Sequence, residues 1–310
     1  MSAAALVGDI GGTNTRLALA VDGTYRGVAR YRNAEVADLE SCLADYLDRE
    51  ALDAGALELV LAVAGPVDGD TVELTNLDWT LSGARLGRRF RFRAVRFLND
   101  FAALAWAVPC LGPAERVALG GGEAVAGAPA LILGPGTGFG ASLWLPPDRA
   151  IATEGGHALL AGVSEAEIAL LARLRERLGP VSYEQVLSGP GLVNLYRALG
   201  GEIDAASDAA AVAARAEAGD AVAGEAFAHF FAFLGLAARN LALATGARGG
   251  VYLAGGILPR YPERLAASRF RERFETPAPL GDYLPRLPTW LVTHPEAALL
   301  GLAAWCDGPR

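Results

Sequence analysis

Several short stretches set chemically active side chains among glycines. Gly8-Asp9-Ile10-Gly11-Gly12-Thr13-Asn14 places a carboxylate in a glycine-rich run. Glycines let backbone N–H groups approach an anion closely, and a carboxylate beside them can hold the divalent cation that accompanies phosphates. Metal-phosphate binding is the chemistry this stretch suits, although a glycine-rich hairpin with no ligand has the same composition. Gly134-Pro135-Gly136-Thr137-Gly138 repeats the glycine pattern without the carboxylate. Asn99-Asp100 follows the apolar run 95–98. A carboxylate at a strand's carboxyl end can face a ligand crevice, and either residue can equally be only a helix N-cap. Thr153-Glu154-Gly155-Gly156-His157 and, further on, Tyr183-Glu184-Gln185 bring carboxylates and an imidazole towards glycine-rich loops. Such groups suit a polyhydroxylated ligand, whose neighbouring hydroxyls pair with bidentate acceptors. A metal site competes, but His157 has no H-E-x-x-H or H-x-x-x-H company. Gly255-Gly256 can receive a flat ring against the backbone or simply make a tight turn.

The elements around these residues narrow the choice. A Walker or dinucleotide loop must open a helix, yet the turn signal Asp22-Gly23 arrives too soon after Thr13 for one to form. The first glycine run is therefore expected to be the turn of a β-hairpin, with a third strand over 24–31. All 27 basic residues are arginine, which removes the Walker lysine, the protein-kinase strand lysine and any Schiff-base lysine. Residues 36–50 have helical spacing, and 57–64 is a continuous apolar run expected as a doubly buried strand ending in a turn at Gly65-Pro66. Residues 101–108 read as a helix stopped by Pro109. The apolar runs 131–133 and 141–145 flank the second glycine loop, repeating the strand, loop, strand order of 6–21. Two related halves, each with a hairpin phosphate loop, follow from that repeat.

Between 83 and 97, Arg85, Arg88, Arg89, Arg91, Arg93 and Arg96 interleave with Phe90 and Phe92. Period-two alternation predicts arginines on the wet face of a strand or its lead-in, not a nucleic-acid patch. Helices are expected over 192–199 and 203–225, an apolar helix from Phe227 to a glycine terminus at Gly246, a strand over 251–254, and a last strand and helix over 290–293 and 295–305.

Composition bounds the class. At 310 residues the chain can bury two cores, and a net charge of −8 argues against a general nucleic-acid or anionic-membrane binder, so phosphate must be held by local loops. Cys42, Cys110 and Cys306 are odd in number and far apart, which fits neither a disulfide framework nor a structural zinc and suits a reducing cytoplasm. Residues 1–7 lack the basic and apolar regions of a signal peptide. The apolar segment 221–245 carries Glu225, His229, Arg239 and Asn240, costly in hydrocarbon, and reads as a core helix.

Taken in order, Gly8 to Asn14, Asn99-Asp100-Phe101, Gly134-x-Gly136-Thr137-Gly138, Glu154-Gly155-Gly156-His157, Leu187-Ser188-Gly189-Pro190-Gly191 and Ala254-Gly255-Gly256-Ile257 resemble bacterial ATP-dependent glucokinases, over about residues 6–302. The cysteine-rich zinc signature of the related ROK kinases is missing after Gly156-His157, so the chain is similar to the zinc-free branch of this hexokinase/actin-like superfamily. The resemblance implies an α/β, two-domain, actin-like/ribonuclease-H-like fold with a cleft between domains: a small domain of 1–109 plus 295–310 and a large domain of 110–294. It implies transfer of the γ-phosphoryl of ATP to the 6-hydroxyl of glucose. In that likeness Asp100 is the general base, and Asn99, Asp100, Glu154, His157 and Glu184 hold the sugar. Gly8, Asp9, Gly11, Gly12, Thr13 and Asn14, with Gly136, Thr137 and Gly138, serve the nucleotide phosphates. Gly255 and Gly256 lie near the nucleoside, and Asp9 acts on Mg2+ through water. A cytoplasmic homodimer taking glucose and ATP, with no nucleic acid and no membrane, completes the expectation. The rivals are a kinase for another hexose or with polyphosphate as donor, an actin-like filament subunit, and a non-catalytic sugar sensor; a sensor is expected to carry a DNA-binding extension.

Overall fold

The computed structural model describes residues 4–65, 67–74, 77–276 and 281–308, so Pro66 of the expected turn lies outside the described residues. Strands β1 (Ala5–Ile10), β2 (Asn14–Val21) and β3 (Thr24–Arg32) form the expected meander. Helix α1 (Leu39–Arg49) follows, its N-terminus capped by Asp38, whose carboxylate accepts from Ser41 N at 2.8 Å. Strand β4 (Glu58–Val63) lies parallel to β1, a small ribbon pairs β5 (Thr71–Glu73) with β6 (Thr80–Ser82), and α2 (Gly83–Phe90), β7 (Val95–Asn99) and α3 (Asp100–Ala107) complete this half. The sheet order is β3-β2-β1-β4-β7, and β1, β4 and β7 are parallel.

Side-chain size sorts the two faces of this sheet. Leu6, Ile10, Leu17, Leu59, Leu61 and Val63 pack with Leu39, Leu43 and Tyr46 of α1. On the other face the residues are smaller: Ala5, Val7, Ala18, Ala20, Val60 and Ala62 meet Ala103 of α3 and Leu299, Leu302 and Ala303 of the last helix. Small residues let helices sit close to a sheet, and the same economy recurs between helices: a Cβ on Gly301 would overlap the Ala103 carbonyl oxygen.

The arginine-rich stretch departs from the expected strand. Ser82 caps Arg85 N, and helical spacing puts Arg85 and Arg89 one turn apart, where both reach the buried Glu40 of α1 at 2.5 and 2.6 Å. Period two was a coincidence of composition. The helix ends at Arg91 in the left-handed region, and Phe92 turns into the core.

Downstream, β8 (Arg116–Gly120), β9 (Ala130–Pro135), β10 (Phe139–Leu145) and β11 (Arg149–Thr153) precede α4 (Glu165–Leu178), α5 (Gly189–Ala198), α6 (Ala209–Glu217) and α7 (Ala221–Thr245). Strand β12 (Val251–Leu253), three short helices, α8 (Pro262–Ala266), α9 (Phe270–Phe274) and α10 (Tyr283–Arg286), strand β13 (Thr289–Val292) and α11 (Ala297–Asp307) close the chain. The second sheet runs β11-β10-β9-β12-β13-β8, the order of the first with one antiparallel edge strand added. The helix expected over 203–225 is two: Asp208 caps α6, Gly219 at φ +89° breaks the path, and Asp220 caps α7. α7 is long and apolar enough to cross a membrane by length and composition, but Phe227, Phe230, Phe231, Phe233 and Leu234 are buried in the protein's own core. By contacts the chain groups into two compact units: Met1–Ala114, Trp144–Ala152 and His294–Arg310 in one, Glu115–Leu143 and Thr153–Thr293 in the other.

Gly301→Ala is expected to destabilise the protein by about 1–3 kcal/mol through forced separation of α3 and α11. Gly224→Ala, exposed in α7 with nothing near the added methyl, is expected to stabilise by about 0.5–1 kcal/mol. Urea unfolding of both variants checks the contrast.

Candidate active site

The hairpin between β1 and β2 is tighter than the glycine run suggested. Gly8 and Asp9 belong to β1, and the loop proper is Gly11 to Thr13. A Cβ on Gly8 would stand 2.7 Å from Leu61 Cδ2 and 2.8 Å from Leu17 Cδ2. Its glycine lets the side chains of neighbouring strands close over β1, a packing role and not the approach to an anion expected for it.

Asp9 faces Arg16 across the β1–β2 ladder, and Arg16 Nη1 donates to Asp9 Oδ2 at 2.9 Å. The other edge of the guanidinium, Nε, lies 3.1 Å from Glu296 Oε2 at the entry to α11, and Arg30 Nε donates to Glu296 Oε1 at 2.9 Å. Burial lifts the Asp9 carboxyl above its ordinary value, with Arg16 opposing the shift. One Asp9 oxygen is thus committed to Arg16. Among the described residues no group of three or more His, Cys, Asp or Glu side chains could hold a metal. The donor set fits a cation that arrives already held by phosphate oxygens and water, with Asp9 touching its water shell, and does not fit an all-protein metal cage.

Asn99 ends β7 and caps α3: its Oδ1 accepts from Ala102 N at 3.0 Å while its Nδ2 donates to Gly65 O at 3.2 Å. The capping reading therefore holds for Asn99. Asp100, the first residue of α3, is half-buried, and its Oδ1 accepts from Phe101 N at 2.9 Å. Because β1, β4 and β7 are parallel, the Gly11–Thr13 loop, Gly65 and Asn99-Asp100 share the carboxyl edge of one sheet, where open α/β sheets bind ligands.

In the second unit the remaining residues form one connected loop cluster. Gly136 N donates to Gly138 O at 2.8 Å, closing the β9–β10 turn, and Gly189 N at the start of α5 donates to Gly136 O at 2.9 Å. Glu184 Oε2 accepts from Phe139 N at 2.9 Å and lies against Gly138, where a Cβ would strike it. Glu184 N donates to Gly156 O at 2.9 Å, and Gly156 lies under the Phe139 carbonyl, too close for any Cβ. The Glu154 and His157 side chains stand over this base, 61% and 63% exposed, with Oε2 and Nε2 3.7 Å apart. Asn240, on α7, donates to the Tyr183 hydroxyl at 3.1 Å and so fixes the segment that carries Glu184. Gly255 takes φ +92° and approaches the Pro135 carbonyl too closely for a Cβ, which makes it a turn glycine; Gly256 is exposed, and a Cβ there would meet nothing.

The structure thus groups the predicted residues in two sets, Asp9 and Gly11 to Asn14 with Asn99-Asp100 in one unit, and Gly136 to Gly138, Glu154, His157, Glu184 and Gly255-Gly256 in the other. Residues that sequence reasoning did not assign to the site are Arg16, Arg30, Asn33, Glu296 and Asn240. Asp9 and Arg16 were readable as partners, being equidistant from the centre of the hairpin. Glu296 carried no signal, because its partners lie 266 and 280 positions away, at Arg30 and Arg16.

Two sheets of one strand order, with a glycine hairpin after β1 in the first and after β9 in the second, define the actin-like, ribonuclease-H-like class of α/β proteins. Comparison narrows the class. The glucokinase family profile matches residues 6–308. A glucokinase of Paramagnetospirillum magneticum is 42% identical over all of this chain and 99% of its own length. The crystal structure of a glucokinase from an Antarctic psychrotroph superposes with a TM-score of 0.85 at 36% identity, covering 98% of both chains. That of the Balamuthia mandrillaris glucokinase, in complex with glucose, gives 0.76 at 25% identity, over 99% of this chain and 94% of the other. The chain belongs to the glucokinase family.

The raised Asp9 carboxyl makes a pH prediction. A carboxyl whose folded value exceeds its unfolded one binds more protons when folded, so it costs stability as pH rises from about 4. The cost is complete above the folded value. Asp9→Asn is therefore expected to gain stability relative to the unmutated protein between about pH 4 and 7, measured by urea unfolding at several pH values. The opposite slope would show that the Arg16 pair outweighs burial.

Proposed function

We propose that this protein is an ATP-dependent hexose kinase that phosphorylates the 6-hydroxyl of glucose. The observation that carries the reading is Asp100 at the same carboxyl edge of the first sheet as the Gly11–Thr13 hairpin, in a chain of the glucokinase family. Phosphoryl transfer needs in-line positioning, charge stabilisation and a proton acceptor for the attacking hydroxyl. Asp100 accepts the 6-hydroxyl proton, and because the transfer is largely dissociative the proton leaves late. Asn99 caps α3 through Oδ1 and gives one Nδ2 hydrogen to Gly65 O, which fixes Asp100 beside it and leaves the second Nδ2 hydrogen for a sugar hydroxyl. Glu154, His157 and Glu184 hold the hydroxyls, Glu184 using the oxygen not engaged by Phe139 N. The loops Gly11 to Asn14 and Gly136 to Gly138 take the phosphates through amides other than those of Gly11 and Gly136, which close the turns, and Gly256 leaves room for the nucleoside. Mg2+ enters with ATP and neutralises charge on the phosphates; Asp9, steadied by Arg16, orients its water.

The two compact units serve as the small and large domains of this reading. It also includes a cytoplasmic setting, which three free cysteines suit, and a homodimer, which the exposed apolar side chains Leu159, Val163 and Ile168 suit.

A coupled ADP-release assay across a panel of hexoses, with ATP and polyphosphate as donors, tests the function; folded protein that consumes no donor with any hexose would sink it. Asp100→Asn is expected to abolish turnover while glucose affinity stays within roughly tenfold. Near-normal kcat would remove Asp100 from its role. His157→Ala is expected to raise the KM for glucose far more than that for ATP, and equal changes in both would argue against a sugar-facing imidazole.

A further inference from the structure

We propose that Asn33 is the positioning residue that turns the β1–β2 hairpin into an anion site, an inference that rests on the kinase reading of that hairpin. Asn33 follows β3, is only 7% exposed, and has its polar groups satisfied by the loop region. Its Nδ2 donates to Gly11 O at 2.7 Å, its backbone N donates to Thr13 O at 2.9 Å, and its Oδ1 accepts from the hydroxyl of the buried Thr15 at 2.9 Å. A buried amide is costly unless its donor and acceptor are both paired, so asparagine is specified here by two side-chain partners, Gly11 O and the Thr15 hydroxyl, while its backbone N–H holds Thr13 O between them.

The direction of these bonds matters more than their number. In a trans peptide the C=O and the following N–H point opposite ways. Holding the Gly11 and Thr13 carbonyls against Asn33 therefore aims the N–H groups of Gly12 and Asn14 away from it. Gly11 N is taken by Asn14 O at 3.0 Å, which closes the turn in that state. A carbonyl swung outward would present a negative dipole to a phosphate; Asn33 keeps the carbonyls in and the donors out. It touches no substrate and acts through the loop.

The test uses the full-length protein and two variants. Asn33→Asp is near-isosteric, keeps the acceptor for Thr15 and loses the donor to Gly11; Thr15→Val leaves Asn33 in place but removes the hydroxyl that orients its amide. ATP and adenosine binding are measured by calorimetry, glucose binding by tryptophan fluorescence, and folding by thermal melting. Asn33→Asp is expected to weaken ATP by about tenfold or more and Thr15→Val by a few-fold, with adenosine and glucose affinities unchanged within about twofold. A purely structural role would move all three ligands together. ATP binding unchanged in both variants, or weakened no more than adenosine binding, would overturn the inference. If the unmutated protein binds no ATP, the kinase reading itself fails, a result separable from the other two.

Discussion

The structure turns on a demand placed on β1: it must be buried on both faces and still end in a glycine hairpin whose inward polar groups are paired. Ala5, Leu6, Val7 and Ile10 are almost wholly inaccessible, and Gly8 is stripped of a side chain so that Leu17 and Leu61 can close over it. Burial of that kind leaves no tolerance for unpaired polar groups. The hairpin that follows therefore has its inward carbonyls paired to Asn33 and its carboxylate paired to Arg16. In trans peptides that pairing turns the N–H groups of Gly12 and Asn14 away from Asn33. Packing and binding are settled by the same few residues.

The guanidinium of Arg16 shows why that arrangement needs arginine. It presents Nη1 to Asp9 and Nε to Glu296, two separate edges of one rigid plane. A lysine ammonium is a point charge on a flexible stem and cannot hold two carboxylates in fixed directions. Glu296 is nearly inaccessible and would be expensive there alone; Arg30 and Arg16 together offset its desolvation. Strands β1, β2 and β3 and the start of α11 are thereby tied to a single polar node, which sets where Asp9 points.

Much of this was legible in the sequence, for identifiable reasons. The meander, the buried strand β4 and the core character of α7 follow from local periodicity and turn residues, which act over a few positions. The repeated glycine loops announced two sheets of like order. The arginine-rich stretch misled because Arg91 and Arg93 alternate with Phe90 and Phe92 as a strand would, while the deciding signals were the Ser82 cap and the partner Glu40, which lies 45 and 49 residues from the arginines that reach it. Likewise the motif residues of the site were visible as types, but their duties were not. Gly8 serves packing and Gly255 a turn, and Asn99 gives its amide oxygen to a cap; each is a three-dimensional fact about close approach that composition cannot carry. Glu184 gives one oxygen to Phe139 N, a bond across 45 residues.

The absence of lysine from a chain with net charge −8 bears on how phosphate would be held. Mobile ammonium groups gather phosphate by long-range attraction and must then be ordered on it, at a cost in side-chain entropy. Amides in a braced hairpin have no such freedom to lose. Their dipoles are fixed before the ligand arrives, and fixed dipoles need no reorganisation as charge shifts towards the leaving group. The second hairpin follows the same plan with different braces: Gly189 N takes the Gly136 carbonyl, and Glu184 takes the Phe139 amide. There the bracing carboxylate also belongs to the loop cluster that carries Glu154 and His157. A ligand hydroxyl that pulled on Glu184 would therefore be felt at the Gly136–Phe139 turn, because one carboxylate would serve the ligand and brace the loop at once.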